Sequence, residues 1–249
     1  MGTRVSLSVC ATIALMLVGP WASAQSGPGG WQFTIAPYMV AAGMNGSIGI
    51  AGSETEVDVP FSTILENLDL AGMVHFDMMN ERWAISSDLI FMDLEDDQAV
   101  AGGTTTTTAT MEETLFEVAG GYRASPAVIL LAGARWVDLG TGLELSGPMA
   151  EASEDASKSW VDPFVGVHVT APLATRWWLG VHGDIGGFGV GSDLAWHAYA
   201  DVGFRASEVV SILLGYRAID MDYEDGEGLE RFAYDVLTAG PQLGVAFRF

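Results

Sequence analysis

Cysteine is nearly missing from this chain: among 249 residues there is one, Cys10. It stands between Val9 and Ala11, too early and with the wrong neighbour for a lipid-attachment site. Basic residues are scarce as well, with 10 Lys+Arg against 32 Asp+Glu and a formal net charge of -22. A surface so acidic excludes nucleic acid as a partner. Past residue 24, no stretch approaches the ~18 consecutive apolar residues that a membrane helix requires. Disulfide frameworks, polyanion binding and helical spans are therefore all set aside.

What is present begins with residues 1–24. One positive charge (Arg4) precedes an apolar run through Val5 to Val18, and the triplet Ala22-Ser23-Ala24 closes the segment. This pattern reads as a cleaved secretory signal, leaving 25–249 as a single domain. Removal of 1–24 takes away one Arg and no acid, so 9 basic residues face 32 acidic ones. An exported chain without cysteine needs a large core, a metal, or another solvent for its apolar groups.

Apolar residues make up 49% of the chain, beside 31 glycines, but they fall at alternate positions. Trp83, Ile85, Leu89 and Phe91 share one face; so do Val161, Val165, Val167 and Val169, then Trp177, Leu179, Val181 and Ile185. Leu194 to Phe204 and Val210 to Tyr216 repeat the pattern. The opposite faces are glycine, small or ionisable, which suits a narrow interior better than a wet exterior. Such alternation predicts an all-β fold, a transmembrane antiparallel up-and-down β-barrel of about ten strands, with eight to twelve open. Strands are expected near 31–50, 69–79, 82–95, 106–124, 128–145, 159–172, 176–188, 193–206, 209–223 and 231–249. Tight connections at 80–81, 125–126, 174–175 and 207–208 contrast with longer acidic loops expected at 96–105, 146–158 and 224–230. Outer-membrane barrels place such long loops outside the cell.

One piece breaks the pattern. Pro60 suits the first turn of a helix, and Phe61, Ile64, Leu65 and Leu68 recur at helical spacing. A short helix near 60–67, after a hairpin of 47–50 against 55–59, would either plug the barrel mouth or cap its rim.

The closing "GPQLGVAFRF" puts Leu243, Val245, Phe247 and Phe249 on one face. It resembles the C-terminal signature of bacterial outer-membrane barrels, which implies recognition by the barrel-assembly machinery. "VPFSTILENLDL", "RWAISSDLIFMDL" and "LGYRAIDMDY" also resemble a group of small Gram-negative outer-membrane barrels of the OmpA and OmpW class. That resemblance implies an outer-membrane location and lipid contact, and it carries no catalytic motif.

Alternation sends a set of ionisable residues inward: His75, Asp77, Asp88, Glu117, Arg123, Arg135, Asp162, His168, His182, Asp184, His197, Asp201, Arg205, Arg217, Asp235, Gln242 and Arg248. All four histidines are among them. Hairpin pairing is expected to bring His168 near His182 and His182 opposite His197, with Asp184, Asp201, Arg205 and Arg217 completing a lumenal cluster. Imidazoles with carboxylates are the ingredients of a metal or acid–base site, and equally of a polar network that fills a small barrel. No serine stands in a nucleophile motif. The segment 220–228 offers Asp220, Asp222 and Glu224 to a divalent cation, without the glycine and helices of a calcium loop. The expectation is a non-enzymatic envelope component without a cofactor, either structural or a narrow path for ions and small solutes. The alternatives are an embedded enzyme acting on envelope lipid and a surface-binding module using the acidic loops.

Overall fold

The computed structural model describes residues 30–50, 52–100, 105–147 and 150–249; the expected signal segment lies outside them. The strands are β1 (Gln32–Val40), β2 (Gly43–Ile50), β3 (Ser53–Val59), β4 (Leu68–Met79), β5 (Trp83–Val100), β6 (Thr105–Ser125), β7 (Val128–Gly147) and β8 (Ala150–Ala174). They continue as β9 (Trp177–Gly187), β10 (Leu194–Arg205), β11 (Val210–Asp225) and β12 (Phe232–Arg248). Ten of them, β1 and β4 to β12, pair with sequence neighbours in antiparallel ladders, and β1 meets β12 to close the barrel. No described helix is long and apolar enough to cross a membrane.

The remaining two strands come from a bend. At Ala41 and Ala42 the first strand turns, and β2 carries on along β12, pairing Gly43–Ile50 with 232–239. Gly240 permits the bend, because a Cβ there would lie 2.2 Å from the carbonyl oxygen of Ala41. Since β4 pairs with β1 only from Gln32 to Pro37, β2 and β3 rise as a hairpin above that seam. A helix, α1 (Phe61–Glu66), bridges β3 to β4, and Asn67 accepts a hydrogen bond from the amide of Glu95 on β5.

The outward face carries an exposed apolar band. At the end where short turns join the strands, Trp83 and Tyr122 touch edge to face at 5.4 Å, and Trp177 lies 4.7 Å from Phe204. Phe116, Trp136 and Tyr216 are exposed near the band's other margin. Aromatic residues at both margins of an apolar band are the mark of a membrane-embedded wall. Beyond the second margin the outward residues turn polar, as at Glu112, Thr114 and Asp138, and the strands rise into a tall end.

That tall end corrects two expectations. Residues 96–100 and 150–157 belong to paired strands, where long loops were expected, because the threonine-rich 106–110, within the expected fourth strand, pairs rung by rung with 95–99. Asp235 faces outward and is exposed, since Tyr234 and Val236 hold the inward rungs of an unbulged β12.

The interior changes character along the barrel axis. In the tall half Leu115, Val137, Leu139, Trp160, Met221 and Tyr234 form part of one buried apolar core. Trp160 on β8 stacks on Tyr223 of β11 at 4.1 Å, above the shorter β9–β10 hairpin. Below this core comes a charged layer, and below that an open cup at the short-turn end. Inward glycines make the room: a Cβ at Gly203 would strike the Trp178 ring at 2.1 Å.

Candidate functional site

The charged layer is built where each inward strand face passes from apolar to polar residues. Buried charges require partners, and here they find them in two networks. In the first, Arg135 is completely buried. Its Nε donates to Oε1 of Glu117 and its Nη2 donates to Oδ1 of Asp184 at 2.9 Å. Nε2 of His182 lies 2.9 Å from Oδ2 of Asp184. Nδ1 of His197 lies 3.5 Å from both Oε1 of Glu117 and Oδ2 of Asp184, and neither contact has hydrogen-bond geometry.

The second network surrounds Asp88. Tyr38 donates its hydroxyl to Oδ1 at 2.6 Å, and His75 meets Oδ2 through Nδ1 at 3.0 Å. Arg217 reaches the same Oδ2 at 3.3 Å, donates to Gln242 at 3.1 Å, and lies over the rings of Tyr38 and Tyr199 at 4.5 and 4.9 Å. The other nitrogen of His75, Nε2, meets Oδ2 of Asp77 at 3.1 Å. Between the networks, Tyr199 stacks on His182 at 4.8 Å with the rings nearly parallel.

The predicted cluster is thus divided. His168 does pair with His182 across β8 and β9. His182, however, faces Tyr199, while His197 faces Asp184; the expected register is off by two. The cause is the turn after β9, where Gly187, Phe188 and Gly189 all take positive φ and lengthen the connection. Only His182, Asp184 and His197 converge. Asp201, Arg205 and His168 line the cup instead, and Arg217 joins Asp88. The cup is a cavity of about 540 Å³ open at the short-turn end, with Arg176, Arg205, Arg217 and Arg248 on its walls.

Other predicted positions fall elsewhere. Of Phe61, Ile64, Leu65 and Leu68, only Ile64 is buried in the core; Leu68 is partly buried against it, while Phe61 and Leu65 are exposed. The helix therefore sits in the wall at the shoulder, and the lumen at that height is filled mainly by strand side chains. Leu243 and Phe249 are exposed on the outward face, and the amide of Phe249 donates to the carbonyl of Phe33 at 2.9 Å. Asp220, Asp222 and Glu224 alternate along the outward face of β11, with Ile219, Met221 and Tyr223 inward. Glu224 is engaged by Arg231 at 2.7 Å, and that hydrogen bond holds its carboxyl below the usual range.

Four contributors went unread in the sequence. Ser192 is fully buried and holds Asp162 through both its amide and its hydroxyl, at 2.6 and 2.7 Å. Tyr38 and Tyr199 belong to the charged layer, although inward tyrosines look like ordinary filling. Ser86 stands 3.5 Å from Nε2 of His75, whose Nδ1 meets Asp88, a serine–histidine–aspartate sequence in space that has no local motif.

No protein-family model and no curated protein matches this sequence. Among solved structures it is similar to Ail, the attachment invasion locus protein of Yersinia pestis, in complex with the heparin analogue sucrose octasulfate: 11% identity over 90% of this chain and 100% of that one, TM-score 0.41. The translocator domain of the autotransporter NalP from Neisseria meningitidis matches at 12% identity over 91% and 90%, TM-score 0.45. The outer membrane protease OmpT from Escherichia coli matches at 9% identity over 88% and 96%, TM-score 0.45. These similarities do not bear on the site. With its closed ten-strand ladder, apolar outward band and aromatic margins, the chain has the fold of a small outer-membrane β-barrel.

Proposed function

We propose that the protein is a non-enzymatic barrel of the outer membrane, sealed toward the cell exterior and open toward the periplasm. In barrels of this kind short turns face the periplasm, so the cup looks inward and the tall acidic strands stand outside. The observation that carries the reading is the continuous apolar core of the tall half, where Leu115, Val137 and Tyr234 are each 1% exposed. A solute path needs polar or hydrated surface along its whole length, and the packed core interrupts it. The expected partners are membrane lipid around the band and the assembly machinery at Leu243, Val245, Phe247 and Phe249.

Conductance in a planar bilayer tests the proposal. The intact barrel is expected to be silent, and removal of α1 should leave it silent. A steady current from the intact protein would make it a channel instead.

An embedded hydrolase is the second reading, favoured by Ser86, His75 and Asp88. Its difficulty is that Asp77 already occupies the Nε2 side of His75. A ring held between two carboxylates carries protons on both nitrogens and has no lone pair to take one from Ser86. Lipid analysis of membranes with the intact protein or Ser86→Ala decides it: identical profiles support the non-enzymatic reading, and a product lost with Ser86 supports the hydrolase.

A further inference from the structure

His197 is 2% exposed, and neither of its ring nitrogens has a hydrogen-bond partner among the described residues. A buried imidazole left so is costly unless something fills the place. Its Nδ1 points at two carboxylates that are themselves short of positive charge, since Glu117 and Asp184 share the single guanidinium of Arg135. With neutral histidines this network holds two negative charges against one positive.

The donor atoms are spaced for an ion. His182, Asp184 and His197 each offer one atom, and the three atoms all lie within 4.8 Å of one another. Nε2 of His182 is 2.9 Å from Oδ2 of Asp184, and Nδ1 of His197 is 3.5 Å from that oxygen and from Oε1 of Glu117. Four ligands at ~2.1 Å from a tetrahedral centre stand about 3.4 Å apart, and these separations fall on both sides of that value. Beside them is a void of about 20 Å³ lined by Asp88, Glu117, His182, His197 and Tyr199, among others. Arg135 holds Asp184 by Oδ1, which leaves Oδ2 turned toward the histidines, the outer support that metal-binding carboxylates commonly have.

We infer that His182, Asp184 and His197 form a buried three-residue site for a divalent transition metal such as zinc, with the fourth position left to water. Two imidazoles and one carboxylate suit such an ion, whereas calcium and magnesium call for six or more oxygens. Entry is from the cup: His168 lines it, His168 and His182 have ring centroids 6.2 Å apart, and His182 and His197 have theirs 5.2 Å apart. The site depends on the barrel's side-chain geometry alone and stands whether or not the barrel conducts.

The test uses the full chain, produced into outer membranes, extracted in detergent, stripped with a chelator, exposed to zinc and desalted. Metal per barrel is read by mass spectrometry, and cobalt is used in parallel for its visible spectrum. The intact protein is expected to keep one zinc and to give the intense visible bands of four-coordinate cobalt. His197→Gln and His182→Gln should weaken retention by at least ~100-fold, the upper end of what even outer contacts cost. The double variant Asp222→Asn/Glu224→Gln should retain zinc like the intact chain. If His197→Gln does not give the heat-modifiable folded band, His182→Gln carries the test alone. Absence of zinc in the intact protein, or retention unchanged by a folded histidine variant, overturns the site.

Discussion

The two halves of the lumen answer the same demand differently. The tall half excludes water with packed apolar side chains, so any polar group caught there has to be satisfied by protein or go without. The cup admits water, and its charges can be screened by solvent as well as by partners. Arg135 and Arg217 mark the contrast: one is completely buried between Glu117 and Asp184, while the other is buried yet on the cup wall. The cost of a charge in this barrel is thus set by depth along the axis more than by the partner it has.

The sharpest way to break the comparison is Arg135→Leu. It leaves two buried carboxylates facing each other without a cation, and it should destabilise the barrel by about 3–5 kcal/mol or prevent folding, read from urea unfolding in detergent. Leu139→Ala opens a hole in the apolar half and should cost about 2–5 kcal/mol in the same assay.

Glu113 tests the dry half from the opposite direction. It is 7% exposed beside the apolar core, above the membrane band, and burial pushes its carboxyl up to about 7. A raised carboxyl binds more protons in the folded state, so stability falls as pH rises from about 4.5 through 7 and stays lowered above. Glu113→Gln should be neutral at low pH and stabilising by roughly 3 kcal/mol in alkaline buffer, taking 1.36 kcal/mol per pH unit of displacement. A variant with the same pH profile as the parent would remove Glu113 from the account.

Arg217→Leu should cost less than Arg135→Leu, about 1–3 kcal/mol, because His75 and Tyr38 still hold Asp88 and the cup supplies water. Equal losses for the two arginines would erase the distinction between the halves. Smallest of all, Lys158→Ala removes an exposed contact to Asp225 at the tall end and should leave the unfolding midpoint unmoved.

Much of this was legible because period-two alternation is a strong signal wherever one face meets lipid. The ten crossing strands, a hairpin of 47–50 against 55–59 and the inward placement of every histidine follow from it, whereas the bend at Ala41 and Ala42 that splits 31–50 into two strands does not. The threonine run was legible as strand by propensity, but 96–100 and 150–157 were not, because acidic and small residues there lose the alternation while keeping the pairing. The register of His182 and His197 depended on a turn whose length is set by three consecutive positive-φ residues, one of them Phe188. Phenylalanine gives no hint of that conformation. Ser86, Tyr38 and Ser192 were hidden for another reason, since their partners are 11, 50 and 30 positions away along the chain.

The outer rim is made of rungs, and that limits how it can change. Residues 96–100, 105–110 and 150–157 sit in ladders with their neighbours. A single inserted residue in such a ladder turns every side chain between it and the tip to the opposite face, or forces a bulge. A loop of the same composition would accept that insertion freely. The tall end of this barrel can therefore vary readily by substitution and by paired insertions, and only at structural cost by single ones.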